Sequence, residues 1–237
     1  MSSEPASDAL GVVLVHGALH GAWCWECLEP ELRTPSIAVD LPGRGARARP
    51  LADVTIDDCV QACLDDADAA GFDRLVLVGH SLGGVTISDV ARQHRGRVAA
   101  LVYVAAAVPK IGSSAAETFY GGPIDALPVY VEAEARALFG NDLADDVWAE
   151  HYRRLVPEAP GIMNARVAEY VDDLPRTYVY GRLDGALSPS RALEMIATLG
   201  EGVEVVEVNT GHSVMVAQPA TLAGVIEGVV DLVRSFA

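Results

Sequence analysis

The sequence predicts an α/β protein built on a doubly wound, mainly parallel sheet. Two observations carry this. Short, continuously apolar runs alternate with longer stretches of helical pattern, and the runs lack the alternating polarity of a half-exposed strand. Strands of that kind are covered by helices on both faces. A third observation sets the scale: the chain has 237 residues, 51% of them apolar, enough for one full core. The whole length, 1–237, reads as a single domain.

The elements follow in order. The first strand is expected at 11–15 (GVVLV), then a helix at 23–32 and a short strand at 36–39 that enters the turn Leu41-Pro42-Gly43. Residues 55–70 read as a helix, with Thr55 and Asp58 at capping-box spacing. A strand at 74–78 (RLVLV), a helix at 82–94 and a strand at 98–104 come next. The rhythm resumes with a strand at 177–180 and a helix opened by Ser188-Pro189, Ser at N-cap and Pro at N1. A β-branched strand at 203–208 and a helix at 219–236 complete the chain.

The interval of about 109–173 breaks this rhythm. It is helical and loop-like, has no clear strand and carries Phe119, Tyr120, Tyr130, Phe139, Trp148 and Tyr152. A stretch of that length between two sheet strands reads as an inserted cap above a site. The alternative is a set of further helices packed on the sheet.

Charge narrows the function. The formal net charge is −16, and Lys110 is the only lysine. Such a field repels phosphate backbones and anionic membranes, which excludes nucleic acid and disfavours membrane as partners. No apolar run is long enough to cross a bilayer, and residues 1–8 carry no signal-peptide pattern, so a cytoplasmic location is expected. Homodimerisation stays open. Cys24-x-x-Cys27 and Cys59-x-x-x-Cys63 superficially resemble a tetrathiolate zinc site. Both pairs lie in helical patterns without flanking turn residues, so buried reduced thiols are expected, with no metal.

The chemistry-bearing residues sit where strands end. Gly79-His80-Ser81-Leu82-Gly83 fits G-x-S-x-G directly after one strand and before a helix, the setting of a nucleophile elbow. Composition alone produces the pattern in roughly one chain in ten of this length, so context carries the assignment of Ser81 as nucleophile. Gly79 and Gly83 must be small where strand and helix pack. Gly17, after the first strand, lets the backbone approach, and the Ala18 and Leu82 N–H groups can then form an oxyanion hole. His212 follows the last strand at the same sheet edge and is read as the base, with His16 supporting its loop and His20 structural or pocket-lining. His94 and His151 are expected on polar helix faces. Asp184 follows the strand at 177–180 and is read as the acid that orients His212, whereas Asp172 and Asp173 precede that strand on the other edge.

These residues carry a resemblance. His16-Gly17-Ala18-Leu19-His20-Gly21-Ala22-Trp23, the elbow through Gly84, Tyr180-Gly181-Arg182-Leu183-Asp184 and Gly211-His212 resemble, within the α/β-hydrolase superfamily, the plant methylesterase and hydroxynitrile lyase group and its bacterial esterase relatives. The resemblance implies an α/β-hydrolase fold with a six-stranded sheet, a small cap, no metal and no cofactor. It maps the catalytic roles onto Ser81, Asp184 and His212, with Ala18 and Leu82 as oxyanion donors. Two positions depart from the lyases, which carry Thr where this chain has Gly17 and Lys where it has Ser213. A serine hydrolase cleaving a small or medium apolar carboxylic ester, thioester or lactone through an acyl-enzyme is therefore expected. A cyclase or lyase using the same pocket, or a ligand receptor on this fold, are the alternatives.

Overall fold

The computed structural model describes residues 9–236. Six strands form one sheet in the order β2-β1-β3-β4-β5-β6, and every adjacent pair is parallel. They are β1 (Leu10–Val15), β2 (Ser36–Val39), β3 (Arg74–His80), β4 (Val98–Val104), β5 (Arg176–Gly181) and β6 (Val203–Val208). The chain runs outward from β1 to β2, then returns to β3 on the other side of β1. The switch point thus falls between β1 and β3, where a crevice opens beyond the carboxyl ends of the strands.

Alternation along the strands divides the core in two. Val13, Val15, Leu75 and Leu77 pack toward helices α1 (Ile56–Ala69) and α2 (Gly83–Gln93). Val12, Leu14, Val76 and Val78 pack toward the opposite face, which is covered by Trp25, Leu28 and the apolar side of the C-terminal helix (Pro219–Ser235). α1 starts where expected: Thr55 and Asp58 form a reciprocal capping box. β6 is an edge strand with Glu204, Val205 and Glu207 exposed, so its faces are not both covered.

Two local expectations are corrected. The helix expected at 23–32 is two short 3₁₀ turns, Ala22–Trp25 and Glu29–Glu31. Pro30 has no N–H to give the Glu26 carbonyl, so an α-helix cannot run through it. That break leaves Cys27 exposed, while Cys24, Cys59 and Cys63 are buried, and all four are unpaired. Burial pushes the Cys63 thiol up to about 12 and holds those of Cys24 and Cys59 well above the ordinary range. Ser188 stands at the N-cap of the helix Pro189–Leu199 with Pro189 in its first turn, as expected; the Ser188 hydroxyl pairs with Ser190 Oγ at 3.0 Å rather than with a backbone N–H.

Between β4 and β5 lie four short helices, α3 (Ala115–Tyr120), α4 (Glu132–Phe139), α5 (Asp145–Arg153) and α6 (Pro160–Met163). The described residues here contain no strand, only two isolated antiparallel bridges, Ser114 with Arg166 and Leu127 with Glu158. The helix Pro189–Leu199 (α7) follows β5. The short helix Val214–Ala217 (α8), which the sequence reading did not anticipate, precedes the last helix, α9.

Candidate active site

Ser81 lies at the tip of β3 with φ +49, a left-handed conformation that a non-glycine residue adopts at a cost. Main-chain bonds hold it there. Its N–H donates to the Val104 carbonyl (3.0 Å), and its own carbonyl accepts from Gly84 N (3.0 Å) and Ala107 N (2.8 Å). The small residues around it are required by contact distance. A Cβ on Gly79 would sit 2.7 Å from the Gly83 carbonyl oxygen, and one on Gly83 would sit 2.5 Å from that of Val15. A Cβ on Gly17 would lie 2.6 Å from Ser81 Cβ. The loops after β1 and β3 therefore meet directly beside the serine. Ala18 and Leu82 line the same cavity as Ser81, and among the described residues neither backbone N–H donates to a protein acceptor.

His212 is buried, and its Nδ1 lies 2.8 Å from Asp184 Oδ2. The other carboxylate oxygen of Asp184 accepts from Ala186 N (2.8 Å) and Leu187 N (2.7 Å). The carboxylate is thereby fixed in its plane, and the Nδ1–H tautomer of His212 is favoured. His212 Nε2 has no protein hydrogen-bond partner, and His212 and Ser81 line one cavity of about 280 Å³. Asp173 lies elsewhere, exposed and paired with Arg95.

Some functional neighbours were not read from the sequence. Asp142, from the β4–β5 insertion, accepts from Gly211 N at 2.6 Å, so Asp184 is not the only carboxylate at the His212 loop. Ser213 donates to the Phe139 carbonyl at 2.7 Å. Arg44 and Glu158 form a buried ion pair at 2.8 Å. Glu158 Oε2 also accepts from Leu19 N (3.1 Å), and Arg44 Nε donates to the His20 carbonyl (2.7 Å). Leu19 O accepts from Val156 N (2.9 Å). The turn that carries Ala18, with Leu19 at φ +66, is thus clamped between the turn after β2 and the insertion. Burial raises the Glu158 carboxyl above the usual range, against the pull of Arg44.

Four further histidines, His16, His20, His80 and His151, are buried and bonded within the fold. His16 donates from Nδ1 to the Gly17 carbonyl (2.8 Å) and accepts from Leu41 N at Nε2 (3.2 Å), which holds it neutral; burial lowers its pKa to about 4. His80 Nε2 donates to the His212 carbonyl (3.2 Å). His20 donates from Nδ1 to the Ala18 carbonyl (2.7 Å), and its Nε2 meets His151 Nε2 at 2.8 Å. The expectation that His151 lies on a polar face is corrected: it is buried, one turn from the buried Trp148 on α5. Burial lowers the His151 pKa to about 4 and those of His20 and His80 well below the ordinary value.

A model of the alpha/beta hydrolase family matches residues 12–225. The chain belongs to that family. A carbendazim hydrolyzing esterase from Nocardioides sp. is 32% identical over 243 residues, covering 89% of this chain and 96% of the relative. Esterase PIR7B of Oryza sativa subsp. japonica is 41% identical over 106 residues, 42% of this chain and 40% of that protein. Methylesterase 7 of Arabidopsis thaliana is 37% identical over 113 residues, 45% and 44% of the two chains. The matches to these two plant proteins thus span less than half of their length. Among solved structures, an extracellular α/β-hydrolase from a Paenibacillus species superposes with a TM-score of 0.81 at 21% identity, over 93% of this chain and 98% of that one. A methylesterase from Arabidopsis does so at 0.79 and 21%, over 94% and 99%. These two likenesses are of fold. Among the described residues no helix is long and apolar enough to cross a membrane.

Proposed function

We propose that the protein is a cofactor-independent serine carboxylester hydrolase acting on a small or medium apolar ester. One observation carries the reading: His212, tethered through Nδ1 to a fully bonded Asp184, leaves Nε2 unpartnered in the same cavity as the strained Ser81. The esterase relatives support it.

In this reading His212 Nε2 takes the Ser81 proton as Oγ attacks the ester carbonyl. The electron pair of the C=O bond moves onto oxygen, where the Ala18 and Leu82 N–H groups bind it. Collapse of the tetrahedral intermediate breaks the C–O bond, and the imidazolium returns the proton to the leaving alkoxide. Water, deprotonated by His212, then releases the acid from Ser81. Asp184 stabilises the imidazolium in both halves. The substrate enters between the sheet edge and the β4–β5 insertion, whose Phe119, Tyr130, Phe139 and Met163 supply apolar wall. The unpaired thiols suit a reducing compartment such as the cytoplasm.

A fluorophosphonate probe is expected to label Ser81, and Ser81→Ala to lose both label and ester turnover. Turnover that survives Ser81→Ala would overturn the acyl-enzyme and favour a lyase or cyclase that uses His212 alone.

A further inference from the structure

The cavity wall is apolar apart from a few groups, and among the residues that line it Arg191 alone carries a permanent charge. Arg191 sits in the first turn of α7, just after the loop that supplies Asp184. A cation there opposes the helix dipole, whose positive end lies at the N-terminus. The position therefore needs another source of favourable interaction.

The protein does not supply a counter-charge. Acidic residues outnumber basic ones 33 to 17, and arginines across the surface pair with carboxylates, Arg47 with Asp66 and Arg154 with Glu26 among them. Among the described residues Arg191 has no carboxylate within 4.0 Å. Its Nη2 donates to the Thr118 carbonyl at 3.0 Å, and its guanidinium carbon lies 5.4 Å from the centre of the Phe119 ring. Arg176, also served by carbonyls rather than carboxylates, is bonded to three of them: those of Leu199, Asp172 and Glu201. Arg191 has one such bond. Among the described residues its remaining N–H groups meet no acceptor, and a planar guanidinium fork matches a carboxylate bidentately.

We propose that Arg191 is a specificity-determining residue that selects esters carrying a second, ionised carboxylate at the far end of an apolar spacer. This rests on the serine-hydrolase reading of the same cavity. In that arrangement the ester carbonyl lies at Ser81, the spacer lies along the aromatic wall, and the free carboxylate neutralises the guanidinium. The Thr118 carbonyl and the Phe119 ring hold the fork in place before substrate arrives, which lowers the ordering cost of binding.

The test compares monomethyl esters of glutaric, adipic, pimelic and suberic acids with their terminal amides, which have nearly the same shape and no charge. Methanol release is measured in the native protein, Arg191→Gln and Arg191→Glu. The readout is the acid-to-amide ratio of kcat/KM within each protein, so general damage by a substitution cancels. The native ratio is expected to reach at least about tenfold for one spacer length, expressed in KM, since a hydrogen bond to a charged group is worth that much. It should fall to about one in Arg191→Gln and below one in Arg191→Glu. A native ratio of one or less at every spacer length, or a ratio unchanged in Arg191→Gln, overturns the proposal.

A second measurement keeps this separate from the hydrolase reading. Adipate and adipamide are titrated calorimetrically into Ser81→Ala and into Ser81→Ala/Arg191→Gln. Adipate binding that is preferred in the first and lost in the second supports the role of Arg191 even if no ester is turned over. Equal binding of the two compounds overturns it even if Ser81 proves to be the nucleophile.

Discussion

Replacing Glu158 by Gln tests whether the clamp on the Ala18 turn matters for chemistry as well as for folding. In the native protein Glu158 Oε2 accepts from Arg44 Nη2 at 2.8 Å and Leu19 N at 3.1 Å, and Oε1 accepts from Ala159 N at 2.7 Å. Both side chains of the pair are 3% exposed. The amide keeps the shape but strands a buried guanidinium, and removing one partner of a buried pair costs about 3–5 kcal/mol. For a domain of this size that lowers Tm by roughly 10 °C. The same change frees the turn that aims the Ala18 N–H, and loss of one oxyanion donor lowers kcat by about 10²–10³. Differential scanning calorimetry and ester kinetics read the two effects separately. The double replacement Arg44→Met/Glu158→Leu removes both charges, so part of the lost Tm should return. It leaves Leu19 N and the His20 carbonyl without their partners, so kcat should stay low. A Glu158→Gln protein with reduced Tm but kcat within about threefold of native would refute the positioning role.

Three further outcomes are expected. Asp184→Asn should lower kcat by about 10³–10⁴ with the fold intact, whereas Asp173→Asn, on the other edge of the sheet and paired with Arg95, should be nearly neutral; the reverse ranking would reassign the acid. Stability should fall as pH drops from about 6.5 toward 4, because burial lowers His16 and His151 to about 4 and the unfolded chain takes up protons in that window that the folded one refuses. Glu158, raised by burial, acts in the opposite sense and offsets part of the loss; urea midpoints that stay flat between pH 7 and 4.5 would contradict the balance. Mandelonitrile should not be cleaved above the buffer rate, since the Ser213 hydroxyl is spent on the Phe139 carbonyl, Lys110 is exposed and Arg182 pairs with Glu207; cleavage faster than that of every ester tested would point to Arg191 as the cation that receives cyanide.

What was legible in the sequence obeyed local or edge rules. A strand that ends in Gly-x-Ser-x-Gly and opens a helix specifies its own turn. Residues that follow the carboxyl ends of parallel strands share an edge whatever the intervening chain does, and that logic put Asp184 and His212 together. What escaped it depends on contacts between distant segments. Glu158 reaches Leu19 across 139 positions and Arg44 across 114, and no periodicity encodes such a meeting. His151 sits in a polar stretch, DDVWAEHYR, and its burial follows only from its placement one turn after Trp148. The helix expected at 23–32 could have been rejected on Pro30 alone. Arg191 reads as one more arginine on a helix until the absence of a carboxylate beside it is seen in three dimensions.

The distribution of strain shows how labour divides in this cavity. The described non-glycine residues with positive φ are Leu19, Ser81 and Ala105, and all three line the cavity. Each is held by main-chain bonds to a separate element: Leu19 to Val156, Ser81 to β4, and Ala105 through its N–H to the Val179 carbonyl of β5 at 2.7 Å. Such conformations cost about 1–3 kcal/mol apiece and persist only where the surroundings over-determine them. The reacting end of the cavity is thus built into the sheet and its first loops, with little freedom to drift. The opposite wall comes from four short helices tied to the sheet edge by the side chains of Glu158 and Asp142, the Phe139 carbonyl and the Val156 N–H. Substitutions there can reshape the pocket without touching the strained core. Arg191 belongs to the rigid side by position and to the insertion by contact, through Thr118 and Phe119. A charge so placed is anchored to the Ser81 side through its backbone and to the wall through its side chain, so substitutions in α3 that move Thr118 or Phe119 would change the distance at which a second group of the substrate is recognised.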